Sequence, residues 1–283
     1  VNPGNERIVT GRTKLAVVIG DPIERSLSPV IHNAAFESLD LDWTYAPLRV
    51  SAEALPDFVS MLRGSSIAGV SVTMPHKQSV ADLVDRLDAS AATLSSVNTI
   101  VRSDSGELVG HSTDGDGLCD AFVEAGVSLS DRRVLVLGAG GAARSIVDAL
   151  ARTSCGSIHL HNRTARNAER LLPLAGGRGT VVSDDDLPAV VHGCDVVINA
   201  TSVGMGEPVS PLPDGVLNSS QVVADIVYHP LRTALLDQAE SAGCRTIDGL
   251  RMLILQAVRQ QVLWTGRRPD VTSMTRAARR ALG

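Results

Sequence analysis

The sequence predicts an α/β protein of two domains, each built on an open, mostly parallel sheet. Three observations carry that expectation. At 283 residues the chain is long for a single core and fits two. Short runs rich in Val, Ile and Leu alternate with stretches of helical period along most of its length. Finally, Val134–Leu137 enters the run Gly138-Ala139-Gly140-Gly141-Ala142 and leaves it as a helical pattern, which is how a strand delivers a phosphate group to a helix N-terminus.

In chain order, Lys14–Gly20 reads as a buried strand, Ser28–Leu39 as a helix, Thr44–Val50 as a strand and Ala54–Arg63 as a helix. Ala68–Met74 is the third strand. Pro75 suits a first helical position, so Lys77 is expected near a helix start at the strand's carboxyl end. Open α/β sheets place their ligands at that edge. Val97–Arg102 and Glu107–His111 read as a strand pair, and Thr113-Asp114-Gly115-Asp116-Gly117 as an N-capped hinge into the second domain. The second βα series is Arg133–Leu137, Ser157–Asn162, Gly179–Ser183, Asp195–Ala200 and Val222–Val227. Leu250–Gly283 is helical, with Leu253, Ala257, Gln260 and Trp264 spaced for one face. The first dozen residues, polar and rich in Gly and Asn, read as a mobile leader.

Composition narrows the function classes. A 44% hydrophobic content and a net charge of -5 describe an ordinary globular chain and give no electrostatic case for nucleic acid. Cys119, Cys155, Cys194 and Cys244 are widely spaced, with no CxxC pair, so they read as reduced thiols and no metal site is expected. No apolar run reaches the roughly 18 to 20 residues of a membrane span, and the first residues lack a signal-peptide core, so the cytoplasm is expected.

The glycine run assigns a ligand class. Gly138 permits the tight turn, Gly140 allows close approach of backbone to pyrophosphate, and Ala143 lets the helix lie close on its strand. A strand-to-helix turn without a ligand would use the same residues. About 20 residues later, NAD-binding folds carry an acid for the ribose hydroxyls. Here the second strand ends in Asn162-Arg163-Thr164-Ala-Arg166, with no acid. Two guanidiniums suit a 2′-phosphate and point to NADP, unless they are merely a solvated helix face.

Hydride transfer to a carbonyl needs an acid for the developing alkoxide. Lys14 and Lys77 are the only lysines, and Lys77 lies at the productive sheet edge. Asp114 opens a helix at the expected domain junction and suits it as a partner; a surface salt bridge is the other reading. Ser26, Ser28, Thr73, Asn98 and Gln256 fit a polyhydroxylated substrate, or are caps and turn residues.

These segments, in order, resemble the shikimate dehydrogenase family. The resemblance rests on Gly20-Asp-Pro-Ile-Glu-Arg-Ser26-Leu-Ser28-Pro-Val-Ile-His32-Asn, Val72-Thr73-Met-Pro-His-Lys77, Val97-Asn98-Thr99 and Thr113-Asp114-Gly115. It continues through Gly138–Ala142, Asn162-Arg-Thr164, Asn199-Ala-Thr-Ser-Val-Gly-Met205 and Asp248-Gly-Leu-Arg-Met252-Leu with Gln256-Ala. It implies reduction of 3-dehydroshikimate to shikimate with NADPH, in the pathway to aromatic amino acids. It further implies a substrate domain at 1–113, a Rossmann-type NADP domain at 114–248, and helices at 249–283 that return to the first domain, with the active site in the cleft. Ser26 and Ser28 would hold the substrate carboxylate, with Tyr228 nearby. Thr73, Asn98, Asp114 and Gln256 would bind ring hydroxyls, with Lys77 and Asp114 as the catalytic pair. Gly138, Ala139, Gly140, Gly141 and Ala142 would carry the pyrophosphate, Asn162, Arg163, Thr164 and Arg166 the adenosine phosphate, and Ile226 and Gly249 would lie near the nicotinamide.

The chain departs from the family pattern at two places. Many members have Asn-Val-Thr where Ser71-Val-Thr73 stands, and the second clamp arginine usually follows the first by four residues, where Asn167 stands instead of Arg166. An NAD-dependent quinate/shikimate dehydrogenase is the nearest alternative. The missing acid and the presence of Ser28, where quinate-using relatives often differ, speak against it. A silent NADPH-binding regulator is a second alternative, opposed by intact Lys77 and Asp114. The expected partner is a small molecule, and the expected assembly a monomer or homodimer.

Overall fold

A computed structural model describes residues 8–283; residues 1–7, most of the expected leader, lie outside the described residues. The chain divides into two compact units. One ends at His111 and takes in Ala257–Gly283; the other is Ser112–Gln256. The division therefore falls inside one long helix, α10 (Gly249–Thr265).

The first unit is built on a six-stranded sheet. Its elements are β1 (Lys14–Gly20), α1 (Ser28–Ser38), β2 (Trp43–Arg49), α2 (Leu55–Leu62), β3 (Ile67–Val72), α3 (Lys77–Ala81), β4 (Arg86–Leu87), α4 (Ala89–Leu94), β5 (Thr99–Arg102) and β6 (Leu108–His111). The strand order is β2-β1-β3-β5-β6-β4. β1 runs parallel to β2 and β3, whereas β5 is antiparallel to β3 and β6. Alternation along β1 makes the core two-sided. Val17 and Ile19 pack with Leu55, Phe58, Val59 and Leu62 of α2, while Ala16 and Val18 join Phe36, Trp43 and Tyr45 on the other face.

β2 is an edge strand, and its exposed backbone is covered by a side chain. Asn33 of α1 donates to the Tyr45 carbonyl and accepts from the Tyr45 N–H, both at 2.9 Å, satisfying groups that an open edge leaves unpaired. The last helix, α11 (Val271–Leu282), is capped by Asp270, whose carboxylate accepts from Thr272 and Ser273 N–H.

The second unit contains α5 (Asp114–Glu124), β7 (Arg133–Leu137), α6 (Gly141–Ala151), β8 (Ser157–His161), α7 (Ala165–Glu169), β9 (Gly179–Val181), α8 (Leu187–Gly193), β10 (Val196–Asn199), β11 (Val222–Asp225), α9 (Ala234–Ser241) and β12 (Arg245–Ile247). Its strand order is β12-β11-β10-β7-β8-β9, with every pair parallel. Strand order reverses between β7 and β10. That is the switch point where a doubly wound sheet opens a crevice for a dinucleotide.

Three expectations are corrected. Pro75 is not in the helix: the His76 N–H closes a turn onto the Thr73 carbonyl, so α3 begins only at Lys77. Thr113 occupies the N-cap of α5 without a side-chain cap bond. Gly115 and Gly117, expected at a hinge, lie inside α5 as contact points. A Cβ at 115 would overlap the Ser145 carbonyl of α6, and one at 117 would lie 2.6 Å from the Gln256 nitrogen, so both glycines are needed for close helix packing. The C-terminal stripe is also broader than expected: Gln256, Gln260 and Gln261 are buried, whereas Leu253 is only partly so.

Candidate active site

Four segments of the first unit meet at the carboxyl edge of β1 and β3. Gly20 ends β1, and a Cβ there would lie 2.5 Å from Thr73 Cγ2 and 2.9 Å from the Met74 carbonyl. The missing side chain lets the β3 loop lie against the end of β1, tied by Thr73 N–H to Ile19 O at 2.9 Å and Asp21 N–H to Met74 O at 3.0 Å. His76 is buried, and its Nε2 donates to the Val50 carbonyl at 2.7 Å, anchoring the turn before Lys77. The Lys77 carbonyl in turn accepts the Val97 N–H at 2.8 Å, one residue before Asn98. Thr73, Lys77 and Asn98 are thus brought to one edge. Ser26 and Ser28 arrive at the start of α1, where Ser26 Oγ accepts the Ser28 N–H at 3.3 Å. Ser28 does not cap α1, because Leu27 occupies the N-cap position.

Beneath this edge lies a buried polar cluster that sequence reasoning missed. Tyr45 Oη donates to Ser71 Oγ at 2.6 Å, and Ser71 Oγ donates to Gln260 Oε1 at 2.9 Å. Gln260 Nε2 donates to the Asn98 carbonyl at 3.1 Å and to Thr99 Oγ1 at 2.8 Å. His32, stacked on Tyr45, bonds Gln260 through Nε2 and Gln261 through Nδ1. Burial drives the His32 pKa down to about 3, so the imidazole is neutral. Gln260 stood in the sequence only as part of a helical stripe; its partners lie up to 228 positions away, which no local pattern reveals.

In the second unit the glycine run forms the expected turn from strand to helix. Gly138 follows β7 with φ +106, and a Cβ there would lie 2.9 Å from the Ala200 carbonyl. Glycine is required on both counts. Gly140 is the N-cap of α6, and around Gly140 and Gly141 a Cβ would meet nothing within 4 Å. Ala139 and Ala142 flank them, partly exposed. An eleven-residue helix therefore begins in open space at the switch point, where its unpaired N–H groups suit a pyrophosphate. At the end of neighbouring β8, Asn162 Nδ2 donates to the Thr164 carbonyl at 2.9 Å and shapes the turn that carries Arg163 and Arg166. Both guanidiniums are exposed, and neither joins an ion pair among the described residues.

The far side of the crevice is set by Asn199 and Asp225, at the ends of β10 and β11. Asn199 Nδ2 donates to Asp225 Oδ1 at 2.9 Å, and Thr233 Oγ1 donates to Asp225 Oδ2 at 2.7 Å. Burial raises the Asp225 pKa against these bonds. The carboxylate also accepts the Val227 N–H, fixing the backbone beside Ile226. A Cβ at Gly249 would overlap the carbonyls of Ile226 and Val227, so the glycine brings the start of α10 onto Ile226. Tyr228 is partly buried, and desolvation raises its pKa, keeping the phenol protonated. Gln256 bonds the Leu253 carbonyl of its own helix and packs against α5, which begins with Asp114. Among the described residues no cluster of acids, histidines and cysteines is placed to hold a metal, and no helix is long and apolar enough to cross a membrane.

Residues 18–100 match the shikimate dehydrogenase substrate-binding domain, 121–206 the shikimate/quinate 5-dehydrogenase domain, and 249–279 the shikimate 5'-dehydrogenase C-terminal domain. The chain is 41% identical to shikimate dehydrogenase (NADP(+)) of Thermococcus kodakarensis over 94% of its own length and 96% of the relative's. Among solved structures it is similar to shikimate 5-dehydrogenase of Listeria monocytogenes in complex with shikimate and NAD, with a TM-score of 0.91 and 34% identity over 97% of this chain and 99% of that one. It is similar also to the Thermus thermophilus enzyme in complex with NADP(H) and shikimate, with a TM-score of 0.88 and 34% identity, covering 95% and 100% of the two chains.

Proposed function

The chain belongs to the shikimate dehydrogenase family, and we infer that it catalyses the reversible NADPH-dependent reduction of 3-dehydroshikimate to shikimate. The observation that carries the reading is the edge of the first sheet, where the Val97–Lys77 backbone bond holds the lysine and Asn98 side by side. An ammonium and a carboxamide there suit a substrate that presents a carbonyl and neighbouring hydroxyls.

The second unit fits the cofactor. Gly138 to Ala142 would receive the pyrophosphate, Asn162 to Thr164 and Arg166 the 2′-phosphate, and Ile226 and Gly249 would flank the nicotinamide. When bound, NADPH supplies a hydride to the carbonyl carbon. Lys77 donates the proton that the carbonyl oxygen then needs, and Asp114 acts with it as the carboxylate partner. Ser26 and Ser28 hold the substrate carboxylate with Tyr228 beside it; Thr73, Asn98 and Gln256 bind the ring hydroxyls.

On this reading residues 1–113 handle substrate, 114–248 handle NADP, and 249–283 complete the substrate domain. Four free cysteines, three of them buried, favour a reducing cytoplasm. The partner is a small molecule, and the assembly is a monomer or homodimer. Ser26→Ala and Ser28→Ala test the carboxylate site: each removes a charge-assisted hydrogen bond worth roughly 1.5 to 3 kcal/mol and should lower kcat/KM for shikimate accordingly. A double variant with wild-type kcat and KM would reduce the serines to loop-shaping residues.

A further inference from the structure

Gln260 sits at the junction of a hydrogen-bond chain whose direction is fixed. The Asn98 carbonyl can only accept, so the end of Gln260 that faces it is the amide nitrogen. The opposite end is then Oε1, which can only accept, and it takes protons from Ser71 Oγ and His32 Nε2. Ser71, having given its proton, accepts from Tyr45 Oη. On the other branch Gln260 Nε2 donates to Thr99 Oγ1, whose proton goes to Asn98 Oδ1 at 2.8 Å. All four hydrogen-bonding positions of Gln260 are used, and the residue is 2% exposed.

We propose that Gln260 is a positioning and specificity-determining residue: Ser71 and His32 fix the orientation of its amide, and through Thr99 it holds the Asn98 side chain with its carbonyl turned inward. The proposal rests on the shikimate reading above. Its chemical content is a polarity. With Oδ1 committed to Thr99, the end that Asn98 turns to a ligand is its NH2 group, so the site accepts a hydroxyl oxygen there as hydrogen-bond acceptor.

The test compares three variants with wild type, reading kcat and KM for shikimate, the dissociation constant for NADPH and the melting temperature. Gln260→Met keeps volume and removes the junction; Thr99→Val removes the hydroxyl that links Gln260 to Asn98 and keeps the shape. Both should raise KM for shikimate about tenfold while kcat changes less than about threefold and NADPH binding is unchanged. Gln261→Met, on the same buried helix but touching only His32, should leave KM unaltered. If Gln260→Met does not fold, Thr99→Val decides: a folded Thr99→Val enzyme with wild-type KM overturns the proposal. So does an equal rise in KM for Gln261→Met, since that would mark general loosening of the core. A wild-type protein that does not turn over shikimate overturns the functional reading itself, and the two failures are distinct.

Discussion

Lys77→Ala removes the ammonium assigned to proton donation, and general acid help of that kind is worth about 100- to 10,000-fold. Turnover of 3-dehydroshikimate should fall within that range, with NADPH affinity measured by fluorescence titration holding at the wild-type value; near-normal turnover would place the acid elsewhere. His32 makes a different demand, on stability. Its folded pKa is about 3 against an ordinary 6.5, so between those values the unfolded chain binds a proton that the folded chain does not. Stability is therefore complete above the upper value and is lost as pH falls through the window, by up to about 1.4 kcal/mol per pH unit. Denaturant titrations at about pH 6 and pH 4 should show a drop in wild type that is shallower by close to one proton in His32→Gln. Equal slopes in the two proteins would mean that His32 is not held neutral.

Helix α5 shows what local sequence conveys and what it conceals. Thr113-Asp114-Gly115 announces a helix start through its capping residues, but the two glycines announce only flexibility, and the structure uses them for contact with Ser145 and Gln256. Gly115→Ala drives a methyl group into the α6 backbone. Overpacking of that kind costs typically 1 to 3 kcal/mol, so a lower melting temperature is expected, together with reduced turnover because Asp114 is adjacent. A variant as stable and active as wild type would show that α5 and α6 can part without consequence. The longer strands of both sheets were legible to within a residue or two, because β1, β3, β7 and β10 are almost wholly buried apolar runs and β8 alternates buried with partly buried residues. β4, of two residues, and β12, of three, are too short to show any period. The glycine turn was legible because its conformation depends on local backbone. The Gln260 cluster was not, since it joins α1, β2, β3, β5 and α10 through single side chains.

Across the whole molecule, the proposed reading gives the two units separable tasks, with cofactor choice in the second. The missing acid after β8 and the exposed pair Arg163 and Arg166 should favour NADP. A guanidinium–phosphate contact contributes about 1.5 to 3 kcal/mol, which is tenfold or more in affinity. Arg163→Ala should therefore weaken NADP while sparing NAD and leave KM for shikimate unchanged; equal losses for both cofactors would assign the arginine to the fold of the β8 turn. The central claim joins both units in one reaction, and one measurement addresses it directly: consumption of reduced nicotinamide, followed by absorbance, with 3-dehydroshikimate as oxidant and NADPH or NADH as donor. The expected result is turnover with 3-dehydroshikimate and a kcat/KM at least about tenfold higher with NADPH. No oxidation of NADPH by 3-dehydroshikimate, or more efficient reduction of NAD by quinate in the reverse assay, would contradict it.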